Sequence, residues 1–377
     1  MSPAPGGGAA GPRGAGGGRR RLMFSVGVGG PLDSTLDQAL RAEKLGYDVV
    51  WVPDHLTDIP PATAIYDAWT MLAHIGAKTK RVMLASGVTD TQRMHPAKTA
   101  STVATLDNLT GGRAILGIGA GEVMNTRPFG MAWEPTDVRV RRVREYVQVV
   151  RTLWSSSFED QRGFEGDLYR FEEAHLSLPP LQRPGPPVYI GAFASRPMLE
   201  IAGELAEGWY PGSFFSPEGF RAKTKVVLDA AAAAGRKPGA VDLIANLPVV
   251  IGSGPKVAQA VRAAFRRHLV INPYMLRLMG EEDAYDAVSR ALQYQLIAPT
   301  PAYARLLEKT FRSLPVSDES LDRGIGEMMA VGSLSECTEA AARFVRAGAT
   351  HILVNDVLGL PGTFERFARG VIPSLRG

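Results

Sequence analysis

A single cysteine, Cys337, in a chain of 377 residues leaves no partner for an intramolecular disulfide and no thiolate cage for a metal. The six histidines, at positions 55, 74, 95, 175, 268 and 351, show no close metal-ligand spacing such as H-E-x-x-H. Long apolar runs are missing as well, and nothing approaches the roughly 20 residues of a membrane span. RRRLMFSVGVGG, where basic residues lead into apolar ones, is too short and too rich in glycine for a secretory leader. The expectation is a cytoplasmic protein with no metal and no membrane partner. The first 21 residues also lack acids. They hold Arg13, Arg19, Arg20 and Arg21 among glycine, alanine and proline, with almost nothing to bury, which predicts a disordered tail over 1–21. The formal net charge of +4 therefore belongs to that tail, and the pI of 9.2 does not signal a nucleic-acid partner.

What is present is ample core material. Hydrophobic residues make up 45% of the chain, and the region 22–377 reads as one domain. A barrel of eight β/α units needs roughly 250 residues, which leaves about a hundred for insertions. The pattern is clearest over 81–125, RVMLASGVTDTQRMHPAKTASTVATLDNLTGGRAILGIGAGEVMN. Val82, Leu84 and the apolar run to Val88 suit a buried strand, and Ile115 and Ile118 sit in a second. Between them Pro96 opens a helix, Val103, Leu106 and Leu109 recur every three residues, and Gly111 and Gly112 end it. In such βαβ units the loops after the strands carry the chemistry, here Ser86 to Asp90 and Gly119 to Asn125. Gly117, Gly119 and Gly121 alternate, so the G-x-G-x-x-G spacing of a dinucleotide site is missing, and NTRPFGMAWEP starts no phosphate-holding helix. Close strand packing is the bland reading of these glycines.

The same rhythm runs along the chain. Strand-like segments occur at 22–28 and 47–52, with a helix from Asp33 that ends before Gly46 and another over 66–77. Asp54 and His55 fall at the carboxyl end of the second strand. From Thr136 a helix buries Val143, Tyr146, Val147, Val150, Leu153 and Trp154. Phe158 to Leu178 reads as a β-hairpin insertion. Strand and helix then alternate through VYIG, PMLEIAGEL, the region of Trp209, 215–234 and 241–251. About 255–332 breaks the rhythm with a helical, aromatic insertion, read as a lid or oligomerisation element or, about equally, as a structural cap. SECTEAAARFVRAGA, HILVND and a last helix over 362–375 complete eight strand candidates. The fold class is α/β, a (β/α)8 TIM barrel with a doubly wound open sheet as the rival.

WVPDH, SGVTDTQRMHPAKTA, LTGGRAILGIGAGEVMN, the hairpin and VYIGAFAS together resemble the luciferase-like flavin and deazaflavin oxidoreductases, over about 22–377. Within that superfamily they most resemble the branch that uses coenzyme F-420, which includes methylene-tetrahydromethanopterin reductase, a glucose-6-phosphate dehydrogenase and phthiodiolone ketoreductase. The resemblance implies a non-prolyl cis peptide behind the deazaflavin ring, at Gly87 and Val88. It implies ring and ribityl contacts from Asp54, Ser86, Gly87, Val88, Asp90, Ala120, Gly121, Glu122 and Asn125, with Asp90 standing where a threonine is common. The coenzyme phosphate would be held by Gly191, Ala192, Phe193, Ala194 and Ser195, at a helix amino terminus that favours an anion, and Arg196 would assist. His55 is placed within reach of the transferred hydride, where an imidazole can donate or accept the accompanying proton. Glu122, buried among glycines, would be held protonated by desolvation and act as a second acid, or bond the pyrimidine edge of the ring. His95 reads as a helix cap. Trp51, Phe129, Trp133, Phe193 and Tyr274 would line an apolar substrate pocket or, equally, belong to the core.

The resemblance implies hydride transfer between coenzyme F-420 and a small-molecule substrate, a carbonyl in the ketoreductase-like reading, by a homodimeric enzyme. The alternatives are a monooxygenase that binds FMN on the same barrel and a non-catalytic flavin-binding protein. A barrel hydrolase is disfavoured, because Asp54, Asp90 and Glu122 form no recognisable acid and nucleophile pair.

Overall fold

The structure is a computed structural model and describes residues 21–30, 32–57, 64–292 and 300–376. Residues 1–20 of the expected tail lie outside the described residues.

In chain order the elements are β1 (Met23–Gly27), α1 (Leu32–Lys44), β2 (Val49–Val52), α2 (Ala68–Lys78), β3 (Met83–Ser86), β4 (Thr89–Asp90), α3 (Pro96–Thr110) and β5 (Ala114–Gly119). α4 (Thr136–Trp154), β6 (Arg162–Glu165), β7 (Arg170–Ala174), β8 (Val188–Gly191), α5 (Arg196–Leu205), β9 (Gly208–Tyr210), α6 (Pro217–Ala233) and β10 (Asp242–Ile251) follow. The remainder is α7 (Pro255–Ile271), α8 (Tyr274–Leu278), α9 (Glu282–Leu292), α10 (Pro301–Arg312), α11 (Asp318–Met328), β11 (Ala330–Gly332), α12 (Leu334–Arg346), β12 (His351–Asp356), α13 (Thr363–Gly370) and α14 (Ile372–Arg376).

Eight parallel strands close a ring in the order β12, β1, β2, β3, β5, β8, β9, β10, with β10 returning to β12. An open doubly wound sheet would leave two edges, and here β10 pairs both β9 and β12, so the barrel is closed. The hairpin expected within 158–178 is β6 and β7, paired antiparallel. Val49, Trp51, Met83, Ala85, Ile115, Tyr189, Ile244 and Leu353 fill the barrel interior, where Trp51 lies against Tyr189 and Tyr210 with ring centroids 5.4 and 4.8 Å away. A second layer of apolar side chains joins the outer strand faces to the helices. All six apolar residues expected on the buried face of α4 are buried.

α3 begins at Pro96 after His95, whose ring accepts from Ala97 N–H at 3.2 Å, and ends at Gly111 in the left-handed conformation (φ 70°). Leu109 is 71% exposed, so the three-residue recurrence overshoots the face. A helix repeats every 3.6 residues, and the buried positions are Val103, Leu106, Asp107 and Thr110. The last helix is two, because the chain turns at Val371 and Pro373, which cannot donate to a helix interior, falls in the first turn of α14.

Just after α3 lies Arg113, which is 8% exposed. Its guanidinium donates to the carbonyls of Thr110 (2.8 Å), Gly76 (2.9 Å), Val82 (2.9 Å) and Thr79 (3.0 Å), tying α2, α3 and β3 together. Burial pushes its pKa down from the ordinary value, with Glu43 opposing. Arg113→Ala strands these acceptors and is expected to cost about 3 kcal/mol or more in urea unfolding. A cost below about 1 kcal/mol would show that the carbonyls find other partners.

The insertion has its own core, in which Phe265, Leu269, Met275, Leu276, Val288 and Leu321 pack together and meet the barrel at Val250 and Phe214. It does not end as helix. β11 adds three residues parallel to the end of β10, with Val249 opposite Ala330. At the floor of the barrel both described ends of the chain meet Asp48. Arg21 reaches Oδ1 at 2.7 Å and Arg376 reaches Oδ2, while Phe24 N–H donates to Oδ2 at 2.8 Å.

Candidate active site at the mouth of the barrel

Ser86 ends β3, and its hydroxyl donates to Gly117 O (2.9 Å) and accepts from Gly117 N–H (3.1 Å). The next peptide, Gly87–Val88, is cis, as the resemblance implied. A Cβ on Gly117 would lie 1.9 Å from Ser86 O, and one on Gly119 or Gly191 would lie 3.0 Å from Val88 Cγ2. The alternating glycines of β5 are thus close packing, and what they pack around is the Ser86–Val88 bulge. A Cβ on Gly87 would lie 3.3 Å from Trp51 Cβ and 3.5 Å from the Tyr210 hydroxyl. Trp51, 1% exposed, is therefore core under the bulge and does not line a substrate pocket.

Asp54 and Asp90 are buried, and their carboxylates are engaged inside the protein. Asp54 accepts from Thr89 Oγ1 (2.6 Å) and Arg93 (3.2 Å); Asp90 accepts from Gln92 N–H (2.8 Å), Arg93 N–H (2.9 Å) and the Arg93 guanidinium. Arg93 also donates to Asp54 O at 2.8 Å. Burial alone would lower the guanidinium pKa, and the two carboxylates more than reverse this, so it stands above its ordinary value. Sequence reading missed Arg93 and Thr89. The signal was an arginine three residues after Asp90, in a loop otherwise short of charge. Gln92 completes the layer by donating to Ala120 O at 3.1 Å, and Gly121 (φ 85°) passes over Asp90, where a Cβ would lie 3.4 Å from the Asp90 Cβ.

Above this layer stand His55, Asn125 and Glu122. The His55 side chain is 24% exposed, with Nδ1 2.8 Å from Asn125 Nδ2 and 3.6 Å from Glu122 Oε2. Asn125 Oδ1 accepts from Leu56 N–H at 2.8 Å. The Glu122 side chain is 59% exposed, which overturns its expected burial. Its glycine neighbours give it no cover, because they are small and the chain leaves the barrel at that point. The Glu122 side chain instead stands open to solvent beside His55.

Ser195 is the N-cap of α5 and makes no side-chain cap bond. Ala192 N–H is committed to Tyr210 O at 3.0 Å and is not open to an anion. Arg196 is 78% exposed and paired with Glu200 at 2.8 Å, a surface ion pair rather than an aid to an anion. The Phe193 ring packs on Phe215 and on Tyr274 of the insertion, at 5.2 and 5.6 Å between centroids. Phe129 is half exposed, and Trp133 lies under Arg139 at 3.9 Å. A cavity of about 390 Å³ opens beside His55 between Val28, Val52, Pro53, Tyr66 and Met71. A larger cleft of about 700 Å³ lies at the floor, around Met23, Val49 and Met83, away from these loops.

Residues 12–351 match the family described as luciferase-like monooxygenase. The chain belongs to the luciferase-like family. Among its relatives, a phthiodiolone/phenolphthiodiolone dimycocerosates ketoreductase of Mycobacterium sp. (strain JLS) is 35% identical over 257 residues, 61% of this chain and 66% of that protein. A 5,10-methylenetetrahydromethanopterin reductase of Archaeoglobus fulgidus is 30% identical over 255 residues, 67% of this chain and 71% of that protein. Among solved structures, a coenzyme F-420-dependent secondary alcohol dehydrogenase superposes with a TM-score of 0.74 at 22% identity, over 95% of this chain and all of that one. At that identity the superposition speaks for the shared luciferase-like barrel alone.

Proposed function

We propose that this chain is a coenzyme F-420-dependent oxidoreductase that transfers a hydride between the deazaflavin and a small-molecule carbonyl or alcohol. The observation that carries the reading is that the Ser86–Val88 bulge, the α5 amino terminus and His55 all lie at the carboxyl ends of the barrel strands. Val88 touches the Gly191 position, so the floor for a ring and the amides for a phosphate are neighbours, as one ligand with both groups requires. The residues therefore fit the coenzyme. When bound it supplies the hydride, and the protein supplies position and hydrogen bonds.

On this reading Val88 supports the ring, the amides of Phe193, Ala194 and Ser195 hold the phosphate, and the His55 ring hydrogen-bonds the substrate oxygen that gains negative charge in reduction. The names of the two relatives, both reductases, support the same chemistry. A homodimer and a cytoplasmic location belong to the same proposal; among the described residues no helix is long and apolar enough to cross a membrane.

The family description, luciferase-like monooxygenase, supports one rival, a monooxygenase that would bind FMN. Titrating the purified protein with coenzyme F-420 and with FMN, followed by absorbance and fluorescence, separates them. The expected result is F-420 affinity at least tenfold tighter, a gap of about 1.4 kcal/mol. Tighter FMN binding with oxygen consumption in the presence of reduced flavin would replace the proposal by the monooxygenase reading.

A further inference from the structure

We infer that Asn125 is a positioning residue for His55, fixing its ring as the tautomer with the proton on Nε2. The inference rests on the role proposed above for His55 and adds which nitrogen meets the substrate.

The argument starts from a group with no choice. A backbone N–H only donates, so Leu56 N–H, 2.8 Å from Asn125, requires the amide oxygen on its side. The amide nitrogen then faces His55 Nδ1 at 2.8 Å. An NH2 group also only donates, so Nδ1 accepts, and an imidazole that accepts at Nδ1 carries its proton on Nε2. Asn125 is 2% exposed, so water does not compensate a turned amide. Rotating it by half a turn would set NH2 against N–H and strand the Leu56 donor, whose loss costs about 1–3 kcal/mol in a buried setting.

Glu122 is the other group facing Nδ1, and a carboxylate there asks for the opposite tautomer. At 3.6 Å it makes no hydrogen bond, and its side chain stands in solvent. Asn125 therefore decides. The outcome is a ring that offers an N–H from Nε2 toward a carbonyl oxygen, an electrophile that polarises the carbonyl while the hydride arrives at carbon. Arg93 supports the arrangement from below by holding the Asp54 carbonyl, one residue before His55.

The test is the ring nitrogen spectrum of the whole protein labelled with ¹⁵N-histidine, without coenzyme, with the His55 signals assigned by their loss in His55→Gln. Wild type is expected to show Nε2–H. Asn125→Asp keeps an acceptor for Leu56 N–H and places a carboxylate oxygen on Nδ1, so the proton is expected to move to Nδ1. The same variant should lower kcat for ketone reduction about 10- to 100-fold, the usual cost of losing an orienting partner, read at saturating reduced coenzyme so that a change in F-420 affinity does not enter. Glu122→Gln, which leaves the Asn125 amide in place, should keep Nε2–H. An Nδ1–H ring in wild type, or an unmoved proton in Asn125→Asp, overturns the inference even if F-420 binds. Absence of F-420 binding overturns the proposed activity even if the ring is Nε2–H.

Discussion

His55→Ala is expected to lower kcat for ketone reduction by about 10² to 10⁴ while F-420 affinity changes less than about threefold, because a placed hydrogen-bond or proton donor contributes on that scale to the chemical step. The split follows from position. His55 stands at the rim, partly exposed, and it neither builds the floor on which the ring would rest nor touches the amides at α5. Truncation opens no cavity in the core, so the melting temperature should stay close to that of wild type. Single-turnover hydride transfer with reduced coenzyme and a panel of ketones reads the chemical step, and a fluorescence titration reads binding. A loss below about tenfold would remove His55 from the reaction and leave it a loop residue. His351 serves as a contrast. It is fully buried in the barrel, paired with Ser25 Oγ at 2.7 Å, and burial lowers its pKa to about 3. Its replacement should act on stability and not selectively on kcat.

Gly117→Ala is the second large effect. The added methyl would sit 1.9 Å from Ser86 O and 3.1 Å from Val88 Cγ1. The first contact is with backbone, so no side chain can swing away, and the strand pair itself must shift. Overpacking of this kind typically costs about 1–3 kcal/mol, and more where backbone has to move. The same shift breaks the two hydrogen bonds between Ser86 and Gly117 and lifts the bulge. We expect a lower melting temperature together with coenzyme binding weakened at least tenfold, equivalent to about 1.4 kcal/mol. Gly326→Ala is the control, since Gly326 lies in α11 with open space around it. There alanine should be neutral or mildly stabilising, by up to about 1 kcal/mol. Unchanged binding in Gly117→Ala would mean that the bulge is not the floor of the site.

The barrel was legible in the sequence because parallel strands buried on both faces leave continuous apolar runs, and β9, only three residues long, was placed by its position between two helices rather than by a run of its own. α4 was legible for a similar reason, its period being long and unbroken. The site was legible only in part. Segment by segment, 53–55, 86–90, 119–125 and 191–195 could be placed at strand ends, and the structure brings these loops together. What could not be read was how side chains divide the available partners. Arg93 takes both Asp54 and Asp90 into one buried cluster, and Asn125 reaches His55 across 70 residues of chain. Neither pairing leaves a local pattern. Glu122 was misjudged because glycine neighbours suggest tight packing along the strand but supply no atoms to cover a side chain beyond its end. β11 was hidden inside a helical insertion because three residues are too few to show a period.

Asp48 gains a second meaning from where the ring is closed. β1 and β12 are the first and last strands, and their pairing, Met23 opposite His351, spans nearly the whole chain. Each doubling of a loop adds only about 0.6 kcal/mol to the entropy of bringing its ends together, yet this seam spans a far longer stretch than its neighbour β1–β2. The carboxylate that holds Arg21, Arg376 and the Phe24 amide sits at the foot of that seam. Leu22 O accepts from Arg376 across 354 positions at the same place. Asp48 thus works as a clasp on a hoop, fastening the joint between the first and last strands at the end of the barrel opposite the loop that holds His55.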